Sequence, residues 1–424
     1  MTFLSTKSRF FVTCVSVTAL AIGFSASPAH AAGFYIQESS VSGLGYAFAG
    51  STTSINDAST IYFNPAGMTE LDGMQANVGV NLLIPYTKLK DTGTTIGGAP
   101  VSGGDGGNPY KPTPVPNAFF AAPVMGDDLW VGVGVSAPFG LGSDYGDTWF
   151  GRYDSTKTKL TTINIQPSVA YKINDHLSIG GGVDVQYADA ELKSALNIAG
   201  NEGRTTLKGD DWTVGYNLGV TIRPTSQTTI GAHYRSAITH RLSGRFKIED
   251  TIPAADVDTG GTARLKLPDI ATFGIAQDLN DQWRVMAQAT WFGWSNFDEI
   301  APVRADGVDV DPIEQNYKNT WAFAIGAEYD LNKDWTIRAG YQYDPTPTRD
   351  NARTSRTPDG DRNWITAGAT YHWSDRVSVD LAGAFIHVGS GNIDLTRNVG
   401  GNVDMNAKSK GKVGIVAAAV NYRF

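Results

Sequence analysis

Hydrophobic and polar side chains alternate with a period of two along most of the chain after Gln75. The clearest example runs from Trp335 to Asp344, where Trp, Ile, Ala and Tyr occupy one phase and Thr, Arg, Gly, Gln and Asp the other. A repeat of 180° per residue predicts a β-strand with one apolar and one polar face. The pattern recurs in about fourteen segments, including 283–291 and 377–385, so strands dominate the predicted fold.

Tight turn sequences alternate with long polar connections between these segments. The short links are Asn174-Asp175, Asn280-Asp281, 332–334 and Ser374-Asp375. The long links span residues 90–112, 140–158, 250–262, 301–317, 345–362 and 389–409. Short turns on one side and long loops on the other are typical of outer-membrane barrels. The sequence therefore predicts an all-β fold, a transmembrane antiparallel β-barrel of about fourteen strands.

Aromatic residues near the predicted strand ends favour the same fold, because amphipathic rings collect at membrane interfaces. They are Trp130, Tyr171, Trp212, Trp291, Trp321, Tyr371 and Trp373. The last strand alternates from Val416 and ends in Phe424. Such an ending resembles the signature that outer-membrane assembly machinery recognises in barrel proteins, although an ordinary edge strand is the alternative. The barrel should be closed, because an open edge in lipid leaves costly unpaired backbone groups.

The first residues resemble a secretory signal peptide. Lys7 and Arg9 precede an apolar run from Phe10 to Phe24, and 29–31 (Ala-His-Ala) supplies the small residues of a cleavage site. A membrane anchor is the alternative, but the run is shorter than the roughly 20 residues that span a bilayer. We expect residues 1–31 to be removed as the chain is exported to the bacterial outer membrane.

Residues 32–74 differ from the remainder of the chain. They are rich in Gly, Ser, Ala and Thr and show little sustained alternation. A barrel of about fourteen strands encloses a lumen that holds either water or a plug. We therefore expect a hatch at 32–74 that closes the lumen of a barrel at 75–424.

Composition excludes several classes of function. A net charge of −8 without a basic run argues against nucleic-acid binding. The single cysteine, Cys14, lies in the predicted signal peptide, so neither a disulfide scaffold nor a thiolate metal site is expected. No HExxH motif or phosphate-binding loop occurs. We expect no cofactor, no metal site and no enzymatic activity.

Several sequence blocks carry a family resemblance. They include 32–34 (AGF), 42–45 (SGLG), 64–66 (NPA), 131–141 (VGVGVSAPFGL), 265–269 (LKLPD) and 291–297 (WFGWSNF). In this order they resemble the FadL/TodX family of outer-membrane transporters for long-chain fatty acids and hydrophobic hydrocarbons, over essentially the whole mature chain. The resemblance implies a monomeric 14-stranded barrel with an N-terminal hatch. It also implies passive uptake, with ligand captured at extracellular loops, bound in the lumen and released sideways where the third strand bends. The expected partners are a long-chain fatty acid or other hydrophobic ligand, and outer-membrane lipid and lipopolysaccharide.

The third predicted strand contains a candidate gate at Pro138, Phe139 and Gly140, which the resemblance places at the bend. Proline cannot donate to a ladder hydrogen bond, and glycine tolerates unusual dihedral angles. Alternatively, Pro138 simply ends the strand at the membrane surface. A hatch motif, Asn64, Pro65 and Ala66, is expected beside this bend, with Asn64 pairing with backbone freed by the bend. An ordinary Asn-Pro turn is the alternative.

A fatty acid in the lumen needs a basic partner for its carboxylate, because an unpaired buried charge is costly. The candidates are Lys193 and Arg338. Lys193 is adjacent to the family's basic position rather than at it, and a second basic position has no counterpart near Ile313. This departure keeps hydrocarbons possible as substrates. Arg338 could alternatively belong to a structural network with acidic side chains.

Two readings of other classes remain open. An outer-membrane lipid hydrolase would need a catalytic constellation, for which His233 and His240 are the nearest candidates. A general porin or adhesin is the other possibility, and passage of sugars would distinguish an open porin from a plugged barrel.

Overall fold

The computed structural model describes residues 33–424, so the predicted signal peptide at 1–31 lies outside the described residues. The part of the chain before the first barrel strand forms short helices. They are α1 at Val41–Gly45, α2 at Thr60–Phe63 and a 3-10 helix at Pro65–Glu70. No helix within residues 33–424 is long and apolar enough to span a bilayer.

Fourteen antiparallel strands in the described residues form a closed barrel. The first seven are β1 Gln75–Asp91, β2 Thr113–Met125, β3 Leu129–Ser136 with Gly140–Asp144, β4 Lys157–Asn174, β5 Leu177–Ile198, β6 Asn201–Thr225, and β7 Thr228–Arg235 with Ile238–Glu249. The last seven are β8 Val257–Leu267 with Ile270–Asp278, β9 Trp283–Phe292, β10 Thr320–Asn332, β11 Trp335–Asp344, β12 Arg362–His372, β13 Val377–Asn398 and β14 Asn402–Arg423. The loops add short strands at Thr95–Ile96, Ala99–Pro100, Glu299–Ile300, Pro302–Arg304 and Ile313–Glu314, and a 3-10 turn at Trp294–Asn296.

The first and last strands close the barrel. β1 pairs with β14 along its whole length, from Gln75 opposite Arg423 to Asp91 opposite Ala407. This pairing removes the free edge that lipid would not tolerate. The predicted fold class and strand number are confirmed.

The two faces of each strand follow the alternation in the sequence. On β1, Val78 and Ile84 point outward and are 61% and 43% exposed, whereas Asn77 and Asn81 are buried inside. The lumen is filled by the hatch, whose backbone approaches inward-facing glycines. At Gly340, for example, an added Cβ would lie 2.2 Å from the carbonyl carbon of Tyr46. An outer apolar surface and a packed interior are what a lipid-embedded, plugged barrel requires.

The predicted loop at 389–409 is wrong, because β13 and β14 continue as a hairpin to residues 398 and 402. Ile393 and Leu395 point inward there and pack in one buried cluster with Trp149 and Phe150. This burial stabilises the continuation of the β13–β14 ladder past the predicted strand ends. Residues 140–144 and 257–262, which lie in predicted loops, also belong to barrel strands.

Trp130 was expected in an interfacial girdle, and this expectation is wrong. Its side chain is 1% exposed, and its indole N–H donates to the carbonyl of Asp127 at 2.9 Å. Tyr171 and Trp373, by contrast, are exposed on the outer surface as expected. The Trp130 ring lies on the inner phase of β3 and packs against the hatch cluster instead.

Candidate functional site

The barrel wall is interrupted in its third strand. The ladder between β2 and β3 ends at the pair Ala118 and Val135. The upper segment of β3 pairs with β4, and no ladder joins it to β2 in the described residues. Residues 137–139 lie in the interruption, and Pro138 has no backbone N–H to offer to a neighbouring strand.

The N-terminal residues Phe34 to Ile36 cover this interruption from inside. The N–H of Ile36 donates to the carbonyl of Pro138 at 2.8 Å, and the N–H of Gly140 donates to the carbonyl of Phe34 at 3.0 Å. A Cβ on Gly140 would lie 2.7 Å from the terminal methyl of Ile36, so glycine permits the close contact. The start of the hatch therefore satisfies the carbonyl of Pro138 and the N–H of Gly140, while the hydroxyl of Thr162 on β4 bonds to the N–H and carbonyl of Phe139.

The motif Asn64-Pro65-Ala66 lies elsewhere, against β5 and β6. The Asn64 amide nitrogen donates to the carbonyls of Thr52 (2.8 Å) and Val220 (3.2 Å) and to the hydroxyl of Thr221 (3.0 Å). The expectation that Asn64 pairs with backbone at the bend is wrong, because residues 34–36 and Thr162 make those bonds. Asn64 instead caps the 3-10 helix by accepting from the Ala66 N–H at 3.2 Å and attaches that helix to the wall.

A cavity opens at the interruption, which we call the wall cavity. It holds about 1950 Å³ of space between atoms, including its open mouth. Its lining includes Leu83, Val115, Val135, Phe139, Leu160 and Ile163. Val135 and Ile163 also belong to the lipid-facing surface, where they are 41% and 43% exposed. The wall cavity therefore extends from the lumen to the outer face of the barrel.

A second cavity, the inner cavity, lies among the extracellular halves of β4 to β8. It holds about 710 Å³ of space between atoms, including open solvent, and its apolar lining includes Leu192, Leu207, Leu242, Leu265, Phe297 and Ile300. Phe34, Leu141 and Leu160 line both cavities. The Phe34 ring is edge-on to Trp294 and Phe297, with centroids 5.0 and 5.2 Å away. Phe34 thus stands between the two apolar spaces, a role that a short family pattern at 32–34 could not indicate.

A third cavity faces the short turns, and its chemistry is different. It holds about 1690 Å³ of space between atoms, including open solvent, and ionic side chains such as Asp278, Arg284, Glu328, Arg338 and Asp380 line it. Hatch residues Ser42 and Asp57 form part of its wall. An apolar ligand would gain no favourable contact on this side of the hatch.

The structure does not bring either candidate head-group residue to the inner cavity. Arg338 lines the cavity that faces the short turns, where its Nε donates to the Glu328 carboxylate at 2.6 Å. This contact agrees with the alternative that Arg338 belongs to a structural network with acidic side chains. Lys193 pairs with Glu191 at 3.1 Å. Because Leu192 lines the inner cavity, the two-residue period places Lys193 on the opposite face.

One hatch carboxyl near the wall cavity has unusual electrostatics. Glu38 lines this cavity but is only 4% exposed. Burial raises the pKa of Glu38 to about 7, while backbone hydrogen bonds and the Arg362 guanidinium oppose the shift. Glu38 therefore changes charge near neutral pH.

The two histidines considered for a hydrolase, His233 and His240, lie on β7 without a serine partner in the part of the chain that the structure describes. His240 contacts Gln186 at 3.0 Å and Asp211 at 3.3 Å, and neither His233 nor His240 is hydrogen-bonded to a serine within residues 33–424. Over the same residues, no group of His, Cys, Asp or Glu is arranged to hold a metal ion.

Comparison with known proteins finds similarity over nearly the whole chain. Residues 22–424 match the family described as outer membrane protein transport protein (OMPP1/FadL/TodX). The long-chain fatty acid transport protein of Escherichia coli O6:H1 is 26% identical over 445 residues, which cover 96% of this chain and 98% of that protein.

Two solved structures share the architecture. The crystal structure of a Pseudomonas aeruginosa FadL homologue superposes with a TM-score of 0.87 at 27% identity, covering 93% of this chain and 100% of that one. The Pseudomonas putida toluene transporter TodX superposes with a TM-score of 0.67 at 20% identity, covering 90% of this chain and 98% of that one, and this likeness concerns the fold alone.

Proposed function

This chain belongs to the OMPP1/FadL/TodX family of outer-membrane transporters for hydrophobic compounds, and we propose that its cargo is a long-chain fatty acid that leaves sideways through the interrupted wall. Ligand is captured among the extracellular loops and binds in the inner cavity. It then passes Phe34, enters the wall cavity and reaches lipid between β2 and β3. Transfer is passive, since the chain needs only a gradient of the ligand.

The observation that carries this proposal is the position of the two apolar cavities. They share Phe34, Leu141 and Leu160, and the wall cavity ends where β2 and β3 are unpaired. An alkyl chain that crossed water instead would lose about 0.8 kcal/mol per methylene, or about 12 kcal/mol for a chain of about fifteen. The apolar route avoids this barrier, whereas the route toward the turns meets the hatch and an ionic cavity.

Passage requires the segment Phe34 to Ile36 to move. Two backbone hydrogen bonds hold it to Pro138 and Gly140, and each contributes about 0.5–1.5 kcal/mol net. Burial of an alkyl chain offsets a cost of this size. Pro138, Phe139 and Gly140 therefore form the proposed gate, and Phe34 is the side chain that must turn aside.

Uptake of aliphatic or aromatic hydrocarbons is a second candidate. It is favoured by the apolar lining of the inner cavity and by the absence of Lys193 and Arg338 from that lining. The route and the gate would be the same.

We further propose that the protein is a monomer surrounded by outer-membrane lipid and lipopolysaccharide, and that the assembly machinery recognises its last strand through Phe424. The Phe424 ring is 56% exposed on the outer surface and is edge-on to Phe120 and Tyr422. An exposed terminal aromatic ring is available to a partner protein.

The test is uptake of labelled oleate by cells that lack their own outer-membrane fatty acid transporter. The variant Pro138→Val/Gly140→Val restores a donor and places a side chain against Ile36. We expect it to abolish uptake while the barrel keeps its heat-dependent mobility on gels. The matched control is Gly142→Val, which should transport normally. Gly142 lies two residues further along β3, and a Cβ there would meet nothing within 4 Å. Undiminished oleate uptake by the double variant would exclude sideways release at this bend, and uptake of toluene but not oleate by the wild type would favour the second candidate.

A further inference from the structure

We propose that Arg356 is the anion-binding residue of the inner cavity, and that it makes the protein prefer amphiphiles with an anionic head group over neutral hydrocarbons. This inference rests on the proposed transport function and specifies the substrate class of the same cavity. It is carried by the unusual position of one buried guanidinium.

Arg356 lies in the loop between β11 and β12, is 4% exposed and lines the inner cavity. Its Nη2 donates to the backbone carbonyl of Asp154 at 2.6 Å, and its Nη1 donates to the hydroxyl of Thr158 at 3.1 Å. Its Nε–H has no hydrogen-bond partner among residues 33–424. The guanidinium is thus held in place by neutral groups and retains an unused donor.

The charge of Arg356 is not matched by a carboxylate. Within the part of the chain that the structure describes, Arg356 forms no ion pair at 4.0 Å or less. The carboxylate of Asp154 is engaged elsewhere, by the Nε of Arg397 at 2.8 Å and by the N–H and hydroxyl of Ser355 at 2.7 and 2.6 Å. Arg397 therefore takes the nearby carboxylate, and the positive charge of Arg356 at the cavity has no carboxylate paired with it in the described residues.

The pKa shifts of Asp154 and Arg356 agree with these contacts. Burial would raise the pKa of Asp154, but Arg397 and Arg356 outweigh it and hold that pKa below its usual range. Burial lowers the pKa of Arg356 to about 10, so the group keeps its charge at neutral pH.

The other cations around the inner cavity are placed differently. Lys159 is paired with Asp189 at 2.5 Å, and Lys208 and Arg264 are exposed on the outer phase of β6 and β8. Arg356 and the leucines that line the inner cavity can together bind both ends of an amphiphile. The carboxylate receives charge-assisted hydrogen bonds, and the alkyl chain receives an apolar lining.

The test compares oleate with oleyl alcohol, which has the same tail and a neutral head, as ligands of the purified full chain in detergent at pH 8.5. We expect Arg356→Met to weaken oleate binding about 10- to 100-fold, the range of a hydrogen bond to a charged group, and oleyl alcohol binding less than about threefold. Arg245→Met removes an exposed cation of β7 that does not line the inner cavity, and it should change neither affinity. Arg356→Lys keeps the charge without the planar fork and should restore part of the oleate affinity.

Equal weakening of both ligands by Arg356→Met, or no weakening of oleate, would overturn the role of Arg356. If Arg356→Met does not fold, Arg356→Lys is the deciding variant. A folded lysine variant that distinguishes oleate from oleyl alcohol as the wild type does supports a requirement for the positive charge. Complete loss of binding to both ligands opposes that requirement. Failure of the wild type to bind either ligand would instead overturn the proposed function itself.

Discussion

Removal of the Arg235 charge should loosen the hatch. Arg235 ends the lower segment of β7 and is 4% exposed, and its ion-pair partner Asp184 on β5 is 0% exposed. The same guanidinium donates to the carbonyl of Tyr62 in the hatch at 2.8 Å and to the side chain of Gln166 on β4 at 3.1 Å. One side chain therefore connects three strands to the plug.

The expected magnitude follows from what remains after the substitution. Arg235→Met leaves the Asp184 carboxylate buried with only the amides of Asn164 (2.7 Å) and Asn217 (3.0 Å) as donors in the described chain. Removing one partner of a buried ion pair costs about 3–5 kcal/mol, because the other charge is left uncompensated. Asp184→Asn removes that charge, so the double variant should recover more than half of the loss. The coupling free energy should be at least about 2 kcal/mol.

The coupling free energy is measured by denaturant unfolding in detergent micelles of the wild type, Arg235→Met, Asp184→Asn and the double variant. Planar-bilayer recordings of the same variants should show ion-conducting events in Arg235→Met that are rare in the wild type. Arg223→Met is the matched control, since Arg223 also pairs with a hatch residue, Glu70, but is 44% exposed; exposed pairs contribute about 0–1 kcal/mol. The reasoning is refuted if Arg235→Met is no more destabilising than Arg223→Met, or if adding Asp184→Asn recovers nothing.

Two further predictions concern the hatch. Gly340→Ala should lower the unfolding free energy by about 1–3 kcal/mol, because its Cβ would meet the Tyr46 backbone. The control is Gly414→Ala, whose Cβ would meet nothing within 4 Å, and it should change the unfolding free energy by less than about 0.5 kcal/mol in the same thermal melts. Glu38 has a folded pKa raised from 4.5 to about 7, so the folded state binds its proton more tightly and stability should fall as pH rises across that window. Melts between pH 4.5 and 8 should show this slope in the wild type and a flatter one in Glu38→Gln; an unchanged slope would contradict the assignment.

Strand phase could be predicted because it depends on residues two positions apart. On β11, Ile337 is 43% exposed to the lipid side and Thr336 is 6% exposed inside, as alternation indicates. The hairpin at 389–409 could not be predicted, because the burial of Ile393 depends on Trp149, a residue far away in the sequence. Local polarity suggested a loop, and tertiary packing overrode it.

The site shows the same division. The interruption at Pro138 follows from the missing backbone donor, which is a local property. The position of Phe34 beside Trp294 and the anchoring of Arg356 by Asp154 join distant parts of the chain, and no local pattern marks them. Phase alone could have excluded Lys193, because its neighbour Leu192 points inward.

Cross-linking the interruption tests the sideways route most directly. Pro116→Cys and Ala137→Cys continue the register of Ala118 and Val135 past the end of the ladder, and both positions line the wall cavity. Ala122→Cys/Val131→Cys joins register partners within the intact ladder and is the control. The only native cysteine lies in the predicted signal peptide, so no other thiol competes.

The measurement is transfer of labelled oleate into the membrane by each pair, with the disulfide verified by mass. We predict that the oxidised pair at 116 and 137 stops transfer, that a reductant restores it, and that the control pair transports in both states. Transfer at the wild-type rate through the oxidised pair at 116 and 137 would show that the ligand does not leave between β2 and β3.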